Sequence, residues 1–281
     1  MAVRRPSGSL GSEVLAICVC DGCGSAARAG AGARLTCLTA AAWLATNFEA
    51  ALSEPPSYVA KRLVGKVQNR IRNAAFRSGS STRDYASTLL GVVVDSSGRW
   101  IAVHIGDGGI VGRFGTELTE VCRPEKGEFA NQTYFVTDSD AAAILRVIGW
   151  DGAGEHRVAS GFALFTDGAE GSLLNRRTGQ VANGISRMLS WFESNTEAEI
   201  ASAIDQNITE VFQPRNSDDC TLVIAVVEGT GSWSSPHERA EDGSVSMPVG
   251  SPGPGPAKQR RRHKHKRRKK RRKWQKSGTA K

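Results

Sequence analysis

Four stretches of this chain set a carboxylate at the end of an apolar run. They are LAICVCDGCG from Leu15 to Gly24, IAVHIGDGGI from Ile101 to Ile110, FALFTDGAEG from Phe162 to Gly171, and NSDDCTLVIAVV, where two aspartates precede the run. A short apolar run that stops at Asp-Gly reads as a buried strand entering a turn. The strand fixes the residue at its end, and glycine lets a ligand or another backbone come close. Two readings follow. Asp-Gly is an ordinary turn pair, so these are four unrelated turns at a sheet edge. Alternatively, carboxylates delivered from several strand ends converge on hard divalent cations, which prefer oxygen ligands. Two such ions about 4 Å apart can share and activate one water.

The rest of the pattern places these ends in a fold. Residues 14–20 read as a strand and 28–52, rich in Ala and Leu, as a helix. Apolar Val59, Leu63, Val67, Ile71 and Ala74 recur at spacings of three and four, predicting a second helix over Ser57 to Phe76. Pro55 and Pro56 separate the two. Residues 88–94 and 99–105 read as strands joined by a DSSG hairpin turn. Tyr134 to Val136 and Gly161 to Thr166 read as short strands, Val181 to Phe192 and Glu199 to Phe212 as helices, and Leu222 to Val227 as a closing strand. Regular alternation of strand and helix is lacking, so a doubly wound fold is not expected. An α+β arrangement of packed sheets with helices outside fits better.

Charge is segregated along the 281 residues. The chain holds 37 Lys and Arg against 28 Asp and Glu, but residues 258–281 carry 15 of the bases and no acid. The preceding part is therefore mildly acidic. Its last stretch, 229–257, is polar and rich in Gly, Ser and Pro, and reads as a flexible linker. The basic block of Arg260, Arg261, Arg262, Lys264, Lys266, Arg267, Arg268, Lys269, Lys270, Arg271, Arg272 and Lys273 repels itself and has no apolar face, which predicts disorder. Its expected partners are nucleic acid or ribosomes, bound without a sequence code through phosphates, ahead of an acidic membrane surface, since nothing amphipathic accompanies the charges. In a eukaryotic host it would also read as a nuclear import signal. No run approaches a membrane span and no signal peptide is evident. The six cysteines fit a reducing cytoplasm, with Cys18, Cys20 and Cys23 as small hydrophobes rather than half of a zinc site. His104, inside an apolar strand, reads as a packing residue rather than an acid.

Taken in order, the motifs resemble the metal-dependent serine/threonine protein phosphatases of the PPM, or type 2C, family, most of all its compact bacterial branch. VCDGCGSAARAGAGARL resembles the first Asp-Gly metal motif and its helix, and YASTLLGVVV the strand after the second helix. WIAVHIGDGGIVGR resembles the Gly-Asp strand end, FALFTDGAEG the second Asp-Gly motif, and SDDCTLVIAVV the closing motif in its Asp-Asp variant. The resemblance covers about residues 12–228. It implies two antiparallel sheets packed as a sandwich with helix pairs outside. It further implies a monomeric enzyme that hydrolyses phosphoserine and phosphothreonine in proteins, through a water bridging two Mn²⁺ or Mg²⁺ ions. By that resemblance Asp21 bridges both metals, Gly22 offers its carbonyl, Asp167 and Asp218 hold the ion sharing Asp21, and Asp107 lies near a third, weaker ion. Asp219 stands where Asn is commoner and either orients ligands from behind or only caps the strand. A thiolate beside carboxylates is disfavoured, so Cys23 is not read as the nucleophile. The chain departs from the family pattern ahead of Asp21, where MAVRRPSGSLGSEVLAICVC has Arg4 and Arg5 but no Asp. The N-terminal edge strand, and the metal- and phosphate-binding segment with it, are therefore expected to be missing from a domain spanning 1–228. That departure keeps open a catalytically inactive binding or regulatory module, and the tail keeps open a nucleic-acid-associated protein.

Overall fold

The structure, a computed structural model, describes residues 2–4, 13–122, 133–153, 158–175, 177–215 and 218–227. The expected linker 229–257 and the basic tail 258–281 lie outside the described residues.

Two antiparallel sheets face each other. One runs in the order β1 (Ala2–Arg4), β2 (Val14–Val19), β3 (Leu89–Asp95), β4 (Trp100–Ile105) and β7 (Arg146–Trp150). The other runs β11 (Leu222–Val226), β8 (Ala159–Phe165), β5 (Gly109–Phe114) and β6 (Glu117–Cys122). Helices α1 (Ala29–Ser53) and α2 (Pro56–Ser78) cover the first sheet, with the short α3 (Ala141–Ile144) at its side. Helices α4 (Asp167–Leu173), α5 (Asn183–Ser190) and α6 (Glu197–Asn207) cover the second, beside a small β9–β10 ribbon (Leu174–Asn175, Gln180–Val181). The fold is thus an α+β sandwich, as the resemblance implied.

Strict alternation sorts the side chains into three cores. On β2, Val14, Ala16 and Cys18 meet the helices, while Ile17 and Val19 point between the sheets. On β3, Leu89 and Val93 face outward, and Leu90, Val92 and Val94 inward. Each strand of the pair is therefore buried on both faces, which is why it reads as a continuous apolar run rather than an alternating one. Trp100, Phe114 and Phe162 cluster between the sheets, with Trp100 and Phe162 centroids 5.8 Å apart, edge to face.

The DSSG turn forms as read. Gly98 adopts φ +82°, and the buried Asp95 carboxylate accepts from the Ser97 and Arg99 amides and from Arg99 Nε. Tyr134 to Val136 is not a strand. The Phe135 amide donates to Asp138 Oδ2 at 2.8 Å and the Val136 amide to the Ser87 carbonyl at 2.9 Å, so a side-chain turn claims the donors a ladder would need. The expected loss of the N-terminal edge strand is also overturned. β1 pairs with β2, Ala2 opposite Cys18 and Arg4 opposite Ala16. Three residues carry no readable period, and the open edge of β2 decides their conformation.

Candidate active site

The strand ends named in the sequence meet at one end of the sandwich. Asp21 follows β2, Asp107 lies between β4 and β5, Asp167 follows β8, and Asp218 and Asp219 precede β11. Both sheets contribute, because adjacent antiparallel strands bring C-terminal ends and N-terminal starts to the same edge.

Each turn is held by backbone and hydroxyl contacts. The Asp21 amide donates to Thr88 Oγ1 at 2.9 Å and the Thr88 amide to the Asp21 carbonyl at 2.9 Å. Next to it Gly22 bridges to Ser87, and the Cys23 amide reaches the Ala86 carbonyl at 3.0 Å. The first Asp-Gly turn is thus stitched to the entry of β3. The second is stitched to β11: Thr166 Oγ1 donates to the Asp219 carbonyl at 3.2 Å and accepts from the Thr221 amide at 3.0 Å. Gly168 lies so close to the Asp219 carbonyl that a Cβ would strike it. Gly108, at φ +95°, lets the chain turn after Asp107 where a side chain would meet the Phe165 carbonyl. Thr133 Oγ1 donates to Asp107 Oδ2 at 2.7 Å.

Three of the carboxylates share one habit. Asp21, Asp167 and Asp218 each accept, through Oδ1, the amide of the next residue at 2.9 Å. One oxygen is thereby fixed by the turn itself. The charges also feel one another. The Asp167 pKa is pushed up to about 6, by burial first and then by Asp107, Asp218 and Asp21, against the opposing Gly168 amide. Burial raises Asp21 too, opposed by the Gly22 amide and helped by Asp218, Asp107 and Asp219. The Cys220 thiol is pushed up by burial and by Asp167, Asp218 and Asp219. This is an acid-only electrostatic environment made of hard oxygen donors, the chemistry that suits divalent cations rather than a thiolate or imidazole ligand set. The carboxylates interact at charge–charge range. Among the described residues, no three His, Cys, Asp or Glu side chains form a group able to hold a metal ion in the side-chain positions present.

Asp21, Gly22, Asp107, Asp167 and Asp218 are therefore placed together. Asp219 enters through its backbone carbonyl as much as its charge, accepting Thr166 rather than any ligand of the turn. Cys23 faces Ser25, Sγ to Oγ 3.2 Å, and Cys37 Sγ donates to the Cys18 carbonyl at 3.0 Å, so neither engages the carboxylates. Burial holds the Cys18 thiol well above its usual range. His104 is buried between the sheets, opposite Leu90 and Arg146. Sequence reasoning missed Thr88 and Thr166, both only 2% exposed. A threonine directly before Asp-Gly in FTDG was the one available signal; for Thr88 there was none, since its role exists only across 67 residues of chain.

Comparison with known proteins gives a consistent picture. The family model for protein phosphatase 2C matches residues 7–213. Serine/threonine-protein phosphatase 3 of Escherichia coli (strain K12) is 33% identical over 162 residues, 58% of this chain and 62% of the relative. The chain thus matches less than two thirds of that relative's length. A bacterial serine phosphatase of known structure superposes with a TM-score of 0.52 at 13% identity, covering 82% of this chain and 92% of that one. A mutant bacterial serine phosphatase gives 0.53 at 13% identity, with the same coverage of 82% and 92%. At such identities the two structures speak to the fold alone.

Proposed function

Because this chain belongs to the protein phosphatase 2C family, we propose that it is a protein serine/threonine phosphatase that hydrolyses phosphoserine and phosphothreonine with the help of divalent cations. The observation that supports this reading best is the meeting of four acid-bearing turns, from both sheets, at one edge, with Asp167 raised to about 6 by burial and its acidic neighbours. Asp21 with the Gly22 carbonyl, Asp167 and Asp218 would hold two Mn²⁺ or Mg²⁺ ions, and Asp107 a third, weaker one. When bound, such ions supply Lewis acidity toward a phosphoryl oxygen and make water nucleophilic at neutral pH. The chain's own contribution is positional. Thr88 and Thr166 fix the two Asp-Gly turns, and the paired amides of Gly22 and Gly168 fix one oxygen of each carboxylate. Asp219 supports that placement through its carbonyl. No covalent phosphoenzyme is required, and Cys23 has no part in one.

The test is hydrolysis of a phosphothreonine peptide with Mn²⁺, abolished by EDTA. Asp21→Ala and Asp167→Ala are each expected to lower turnover by at least about 10²-fold, since loss of a ligand disturbs the shared pair. Unchanged activity in both variants places the chemistry elsewhere. A second reading, an inactive binding module on the same scaffold, is favoured by the absence of a ready three-ligand group among the described residues. Calorimetric titration with Mn²⁺ separates them: two-site binding supports the enzyme, and no heat at millimolar metal supports the module. We further propose that the basic residues from Arg260 to Lys273 bind nucleic acid or ribosomes through phosphates. Cytoplasmic residence and a monomeric state complete the reading.

A further inference from the structure

Helix α2 carries Lys61, Arg62, Lys66, Arg70, Arg72 and Arg77 and not one Asp or Glu, in a domain that is otherwise acidic. It packs antiparallel to α1: Arg62 reaches Asn47 at 3.3 Å at one end and Arg28 reaches Ser80 at 2.7 Å at the other. Between their outward faces runs a groove of about 1190 Å³. This is larger than the roughly 300–1,000 Å³ of a small-molecule pocket. Leu35, Leu38 and Trp43 line its α1 wall; Lys66, Asn69 and Arg70 line its α2 wall. Among the described residues, no Asp or Glu lines it.

Its charge is uneven. At the far end Arg62 is neutralised by Glu54 at 2.9 Å and stacks 5.6 Å over Trp43. Toward the other end Lys66, Arg70 and Arg72 are exposed and make no ion pair among the described residues. That end points to the carboxylate site, because Ala29 at the start of α1 packs against Gly22 of the Asp21 turn and Leu35 lies under two helical turns into the helix. Gly65 sits mid-helix in the groove wall with nothing within 4 Å of where a Cβ would be. An interior glycine costs a helix about 1 kcal/mol relative to Ala, and packing does not demand this one. What it provides is width.

We infer that the α1–α2 groove docks an acidic segment of the substrate protein, holding the phosphorylated residue near the carboxylate edge. This rests on the phosphatase reading. Charge complementarity selects an acidic occupant. The concave shape, the apolar α1 wall and the amides of Asn69 and Asn73 suit a polypeptide, which needs backbone partners and side-chain pockets together. A bilayer would require a convex apolar face, and single-stranded nucleic acid exposed aromatic platforms; Trp43, the groove's aromatic, is buried and already covered by Arg62.

The experiment uses the full chain and two variants, Gly65→Leu and the double change Lys66→Glu with Arg70→Glu. Leu is a better helix former than Gly, so the first variant blocks the groove without weakening the helix. Turnover is measured on a short phosphothreonine peptide and on the same peptide with an Asp/Glu/Leu extension. Binding is measured separately with a photoreactive, unphosphorylated form of the extension, whose cross-links are mapped by mass spectrometry. Both variants are expected to lower kcat/KM for the extended peptide by about five-fold or more, to leave the short peptide within about two-fold, and to lose cross-links on residues 62–73. An active protein whose variants handle both peptides like the unaltered chain overturns the docking groove. So does displacement of the peptide cross-links by anionic liposomes or single-stranded RNA at equal charge but not by an acidic competitor peptide. A chain that cross-links through the groove yet turns over neither peptide overturns the catalytic reading instead.

Discussion

Asp167 shows what a single residue at this site endures. Its folded pKa of about 6 lies above that of a free aspartate, near 3.9. Between about pH 4 and pH 6 the metal-free folded state therefore holds a proton that the unfolded state has lost. Stability contributed by this group is present below that window and falls as pH rises through it. Asp167→Asn removes the penalty. In EDTA the variant is expected to melt above the unaltered protein at pH 7, with the gap closing at pH 4; an equal gap at both values sinks the account. Thr166 makes the complementary case. It is buried, donates to the Asp219 carbonyl and accepts from the Thr221 amide, both in the closing motif, and Thr166→Val leaves both partners short. We expect a loss of about 1–3 kcal/mol in urea unfolding together with weaker Mn²⁺ binding. A loss of stability with unaltered Mn²⁺ affinity would make Thr166 structural only. The aspartates were legible in the sequence because each ends an apolar run. The threonines were not, since a hydroxyl beside a strand end acquires meaning only from what folds against it.

Among the elements, strands buried on both faces were the easiest to read and their neighbours the hardest. β2, β3, β4, β8 and β11 stand as apolar runs because helices cover one face and the opposite sheet the other. β6, ELTEVC, has mostly partly exposed side chains and reads as polar chain, and β7 follows a short helix that hides its start. Both become strands by pairing with β5 and β4, a contribution from partners that local pattern does not carry. Phe162 tests the inter-sheet layer. It is fully buried against Trp100 and Phe114, so Phe162→Ala is expected to cost about 3–5 kcal/mol in equilibrium unfolding. A loss below about 1 kcal/mol would mean that the two sheets do not share this core. Ala and Leu richness gave α1, and spacing of three and four gave α2, each to within two residues, yet neither signal showed the groove between them, which depends on how two outward faces are set side by side.

For the whole molecule, charge segregation makes a separate prediction. If the basic block from Arg260 to Lys273 binds phosphates, nucleic-acid affinity should fall steeply between low and moderate salt, because counterion release gains less as the bulk salt rises. A filter-binding salt series on the full chain, with and without residues 258–281, checks this. Equal affinity of the two forms would remove the tail from the account, and turnover on a small phosphopeptide should be the same in both. The sequence alone was enough to establish the strands buried on both faces, the two long helices, the acid-bearing strand ends and the split between an acidic domain and a basic tail, since each is a local or compositional property: burial imposes period, turns impose glycine, and charge is additive. It suggested a missing edge strand, and there it erred, because three residues become a strand only when an open neighbour offers its hydrogen bonds. Tertiary structure decided that four turns from two sheets share one edge, that Thr88 and Thr166 lock the turns at Asp21 and Asp167, and that Arg62, Lys66, Arg70 and Arg72 of α2 line a groove beside α1. Those facts join residues far apart in the chain, and only the packing of sheet on sheet and helix on helix sets such distances.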